Sequence, residues 1–127
     1  MEHVENQNKL IRKKPERSQQ MEFGLSSEQT LLQDSVNRFL AEQVPLDVVR
    51  KIATDDSSDA HCWGGLTDLG IPGLLISEAN GGLGLSSLDA AVVSELLGYH
   101  VTPSPFISSA VIAPATMQAA GRGEDLL

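Results

Sequence analysis

The chain has 127 residues, a net charge of −8, 41% hydrophobic residues and only 4% aromatic ones. That composition describes one small domain with an aliphatic core, which favours packed helices over a sheet. The acidic balance excludes an ordinary nucleic-acid-binding surface, no apolar run reaches the ~20 residues of a membrane span, and a single cysteine, Cys62, excludes an internal disulfide and fits a reducing cytoplasm.

Residues 1–20 form a polar leader without a sustained hydrophobic period. It carries five basic residues, Lys9, Arg12, Lys13, Lys14 and Arg17. Little in it can be buried, so the expectation is a solvated, disordered tail. It lacks the apolar segment of a secretory signal. Met21 is an alternative to Met1 as the start, and the folded domain is expected over residues 21–127.

The first helix is predicted over Ser27–Gln43. Ser26 and Gln29 make a capping box. Leu32, Val36, Phe39, Leu40 and Val44 fall on one stripe, and Pro45 stops the helix. A short second helix, Leu46–Ala53, has Val48, Val49 and Ile52 on its apolar side. Asp59 is set to cap a third helix, Ala60–Leu69, whose face carries Trp63, Leu66 and Leu69. His61 and Cys62 are adjacent, so they do not share a helix face, and no metal site is expected. Cys62 reads as a small packed residue.

The stretch Leu66 to Asp89 organises the rest. Gly70 ends the third helix, because glycine enters the left-handed conformation without a steric cost. Pro72 prevents resumption. Leu74, Leu75 and Ile76 form a short buried run. Gly81, Gly82 and Gly84 make a side-chain-poor loop, and Ser86 with Asp89 caps the next helix. A glycine loop before a helix raises the question of phosphate binding. However, Leu85 stands where a P-loop needs lysine, and Ser87 where a dinucleotide fingerprint needs its third glycine. The glycines are therefore expected to turn the backbone and bring it close to another segment.

The fourth helix is predicted over Ser87–Tyr99, with Leu88, Val92, Leu96 and Tyr99 as its main stripe and Ala91 and Leu97 beside it. Glu95 reads as a structural or surface acid, since one carboxylate defines no acid–base pair. His100 is placed to satisfy the helix's terminal carbonyls. Thr102-Pro103-Ser104-Pro105 is a rigid elbow. Ser104 is set to cap a last helix over Pro105–Ala120, with Pro105 at its first position, Gly121 at its end and a kink at Pro114. Phe106, Ala110, Ala113 and Met117 share its face. The expected fold is all-α: an up-and-down helical bundle of about five helices.

Four runs carry a family resemblance. They are Leu69-Gly70-Ile71-Pro72-Gly73-Leu74, then Ser77-Glu78-Ala79-Asn80-Gly81-Gly82-Leu83-Gly84-Leu85-Ser86, and then Glu95-Leu96-Leu97-Gly98 followed by Pro103-Ser104-Pro105-Phe106. Together they resemble the N-terminal helical domain of acyl-CoA dehydrogenases, from Phe23 to about Gly121. Ser77 departs from the proline usual in that family.

The resemblance implies FAD-dependent α,β-dehydrogenation of an acyl-CoA thioester. In the family the base is a glutamate of the C-terminal bundle, and most flavin contacts come from the β-domain and that bundle. The resemblance therefore assigns no catalytic, flavin-binding or metal-binding residue here. It implies an acyl-chain pocket wall at Pro105, Ser109, Ala110 and Ala113. The implied partners are acyl-CoA, and a β-domain and C-terminal helical domain or a partner subunit, in a homo- or hetero-oligomer. The other readings are a non-catalytic helical partner subunit and a truncated remnant.

Overall fold

The computed structural model describes residues 24–54 and 60–122. The basic leader and the expected Asp59 cap lie outside the described residues. Among the described residues five α-helices follow one another: α1 (Ser27–Gln43), α2 (Leu46–Thr54), α3 (Ala60–Asp68), α4 (Ser87–Tyr99) and α5 (Ala113–Ala119). Two 3-10 turns, Ile71–Gly73 and Glu78–Asn80, join α3 to α4, and a π-helical segment, Ile107–Ile112, leads directly into α5. The described residues contain no strand, so the fold is the expected all-helical one.

The capping box of α1 forms as its spacing requires. Ser26 Oγ accepts from the Gln29 N–H at 3.1 Å, and Gln29 Oε1 accepts from the Ser26 N–H at 3.0 Å. Val36, Leu40 and Val44 are buried along the predicted stripe, with Leu32 and Phe39 packed at its edge. α1 lies mainly against α4 and also touches α3. At the α1–α3 contact the Phe39 ring occupies the space a Cβ on Gly65 would need. Cys62 and Leu66 of α3, Ile71 and Leu74 of the connector, Val93 and Leu97 of α4, and Phe106 and Ala110 beyond the elbow complete the core.

α1 and α4 run parallel. Asp89, in the first turn of α4, takes a hydrogen bond from the Gln29 side chain, in the first turn of α1. Further along both helices, His100 Nε2 lies 2.8 Å from Asn37 Oδ1. An amide oxygen only accepts, so this pairing puts a proton on Nε2. The His100 ring thus ties α4 to α1 rather than to its own terminal carbonyls.

Three helix details differ from the sequence reading. First, α4 is rotated: Leu88 and Tyr99 are 55% and 80% exposed, while Asp89, Ala90, Val92, Val93, Leu96 and Leu97 face inward. Apolar side chains surround most of this helix, so spacing alone leaves its rotation open. Second, Leu69 lies largely outside the core.

Third, the last helix is not uniformly α-helical. Pro114 has no N–H, and its ring would clash with the carbonyl of residue 110 in an α-turn. The chain widens instead, and the Ala113 N–H reaches back five residues to Ser108 O. The expected kink is thus a six-residue π-helical segment. It opens without a side-chain cap. Pro105 O accepts from Ser108 Oγ at 3.0 Å and from the Ser109 N–H at 2.8 Å.

Candidate functional site

The connector and glycine loop fold onto each other. Gly70 closes α3 at φ 77°, and Gly81 and Gly84 also take left-handed conformations, at φ 81° and 63°. Gly82 is required for a different reason: a Cβ there would overlap the Ile76 backbone carbonyl. The Leu83, Gly84 and Leu85 N–H groups donate to Gly73 O (2.9 Å), Ile76 O (2.7 Å) and Leu74 O (2.9 Å). The Gly81 and Gly82 N–H groups donate to Glu78 O and Ser77 O, both at 3.0 Å. The Ser86 N–H donates to Asp89 Oδ2 at 2.8 Å.

Every backbone donor from Gly81 to Ser86 is therefore consumed within the fold. A phosphate cradle needs those donors pointing outward. The loop is a structural clasp, and it does not fit the diphosphate of a dinucleotide cofactor such as FAD.

Asp89 anchors the end of that clasp. Its Oδ2 also accepts from Ser86 Oγ at 2.6 Å. Burial pushes its carboxyl pKa up, but the hydrogen bonds from Ser86 Oγ, the Ser86 N–H and the Gln29 side chain outweigh that and hold it below the ordinary carboxylate value. A buried acid held ionised serves as a cap, and it is unsuited to act as a proton donor.

The elbow borders an open cleft of about 380 Å³, lined by Ser94, Leu97, Gly98, Val101, Thr102, Pro103, Ser104, Phe106 and Ile107. Val101 is the one non-glycine residue at positive φ among those described, at 51°. It holds the closing position of a Schellman motif: its N–H donates to Gly98 O at 3.1 Å, and the Thr102 N–H to Leu97 O at 2.9 Å. Thr102 Oγ1 is buried without a hydrogen-bond partner. Helical spacing shows none of this, because the position that closes a helix is normally read from a glycine.

Beyond the elbow, the four expected pocket positions separate. Ala110 is fully buried in the core, Pro105 is half-buried, and Ser109 and Ala113 are exposed on the outer side. Ile107 and Ile112 are exposed beside them. No Asp, Glu, Lys or Arg occurs between Glu95 and Arg122. Beyond His100 this stretch therefore offers uncharged, mostly small side chains that suit an apolar neighbour and supply no general acid or base. Glu95 is exposed and lines a second groove, between α1 and α4, with Asp34 and Tyr99. Among the described residues, no group of three or more His, Cys, Asp or Glu side chains is arranged to hold a metal. No helix among them is long and apolar enough to cross a membrane.

These features define a small all-helical domain whose glycine loop is structural and whose last helix offers an uncharged outer face. The family model of the acyl-CoA dehydrogenase N-terminal domain matches residues 26–124, and the chain belongs to that family. The match begins at the Ser26 cap, runs through the glycine clasp and elbow, and ends just past Gly121. No curated protein and no solved structure matches the chain.

Proposed function

We propose that this chain forms the N-terminal helical domain of an FAD-dependent acyl-CoA dehydrogenase, contributing one wall of the acyl-chain pocket. The observation that carries the reading is the family match over residues 26–124. In such an enzyme a bound flavin would supply the hydride acceptor for the β carbon, and a carboxylate outside this chain would take the α proton. The residues of this chain would bind and orient rather than react. Pro105, Ser109 and Ala113 would face the acyl chain. Fully buried Ala110 would let the helix sit close behind that wall. The donors of the glycine clasp are spent internally, so we place the flavin and the base on other segments, either a β-domain and C-terminal helical domain or a partner subunit. We further propose residues 21–127 as the folding unit and the cytoplasm as its compartment.

A second reading is a non-catalytic helical subunit. It is favoured by the exposed Leu88, Tyr99, Val101, Ile107 and Ile112, which a partner could cover.

The test is to purify the 127-residue chain, titrate it with FAD, and assay acyl-CoA oxidation with an artificial electron acceptor. Neither flavin binding nor turnover is expected from these 127 residues alone, and activity should follow addition of a β-domain and C-terminal helical domain or of a partner subunit. Flavin binding by this chain alone would overturn the placement of the cofactor. Tight association with a partner that leaves the complex free of flavin would favour the second reading.

A further inference from the structure

We infer that the elbow after α4 is a local hinge, held closed at a conformational cost concentrated at Val101 and Thr102. Two independent features meet at consecutive residues. Val101 is β-branched and sits at φ 51°, a conformation that crowds the Cβ of an L-residue against its own backbone. Thr102 Oγ1 is buried with no partner, so its hydroxyl has lost water and gained nothing.

The same chain shows the unstrained form of this closure. At the end of α5 the Gly121 N–H donates to Gln118 O at 3.1 Å and the Arg122 N–H to Met117 O at 2.9 Å. That is the motif found at Val101 and Thr102, with glycine at φ 72° in the strained position.

The surroundings confine the motion. Pro103 and Pro105 have fixed φ, and each restricts the residue before it to extended conformations, so Thr102 to Pro105 moves as a stiff rod. The torsion that can relax is at Val101. Rotating it to negative φ removes the crowding, breaks the two closing hydrogen bonds, and admits water to Thr102 Oγ1. Val101, Thr102, Pro103 and Ser104 themselves line the open 380 Å³ cleft, so the segment has room beside it. The hinge joins α4 to the segment bearing Ser109 and Ala113. It stands on this chain's geometry alone, and its failure would leave the family reading intact.

The test is native-state hydrogen exchange on the full 127-residue chain, read amide by amide by NMR. The Thr102 amide is expected to exchange well ahead of the Val93 amide in the core of α4, despite its 2.9 Å hydrogen bond. In V101G, relief of the crowding, less the freedom that glycine gains in the opened elbow, should slow Thr102 exchange relative to Val93 by about threefold. In T102V, removal of the orphaned hydroxyl should slow it by about fivefold. The Leu85 amide, bonded to Leu74 O in the clasp, should keep its rate relative to Val93 in both variants. Equal exchange of Thr102 and Val93 in the parent chain would overturn the hinge. So would variants that leave Thr102 unchanged, or that shift Leu85 by the same factor.

Discussion

The glycine clasp and the proline elbow do the same job, joining consecutive helical elements, with opposite materials. The clasp places glycine at φ 77°, 81° and 63° and returns every N–H from Gly81 to Ser86 to an acceptor in the fold. The elbow places valine in the left-handed region and leaves a threonine hydroxyl unpaired. One connection is relaxed and the other is loaded. A relaxed turn resists substitution, because each residue already suits its torsion. A loaded turn should improve when the offending group is removed.

Gly82→Ala should produce the largest change, a loss of about 3 kcal/mol, since the new methyl overlaps the Ile76 carbonyl and the backbone must shift. Chemical denaturation reads this directly, and a loss under ~0.5 kcal/mol would show that the clasp opens readily. Asp89→Ala should cost about 2 kcal/mol at neutral pH, because it strips charge-assisted acceptors from Ser86. Asp89 also gives the clasp a pH limit. Its folded pKa lies below the unfolded value, so its stabilisation is present above the ordinary carboxylate pKa of about 4 and is lost as pH falls through the folded value. The acid limb of a stability–pH curve should therefore flatten in D89N.

Gly84→Ala should cost about 1–2 kcal/mol from its φ of 63°. Val101→Gly should have the smallest effect and the opposite sign. Relief of ~1–2 kcal/mol of crowding is partly offset by ~0.5–1 kcal/mol of added chain entropy in the unfolded state. The melting temperature should hold or rise by a few degrees. A clear drop would mean that the valine side chain contributes packing that its 62% exposure does not show.

The sequence is most readable where local chemistry decides the structure. Ser26 with Gln29, Gly70, and Ser86 with Asp89 mark their boundaries because each supplies a backbone group or torsion that few residues can. The stripe Val36, Leu40, Val44 is legible because α1 has one apolar side and one polar side. α4 resists the same reading, since its apolar residues cover most of its circumference. Its orientation comes from Asp89 and from the His100–Asn37 pair, neither of which periodicity reveals. Pro114 announces a disturbance but not its form, because a kink and a π-helical segment both relieve the same clash. The cleft beside the elbow is hidden for a related reason. Its shape depends on a valine doing what glycine usually does, and side-chain pattern carries no torsion.

The parallel run of α1 and α4 has an electrostatic consequence. Side-by-side helices pointing the same way bring two positive dipole ends together, each equivalent to roughly half a unit charge. Asp89 lies at that meeting point, buried, ionised, and bonded to the first turn of each helix through Ser86 and Gln29. It acts as one counter-charge shared by two macrodipoles. A neutral cap there would satisfy the N–H groups yet leave the two helices repelling each other at the end where the fold begins.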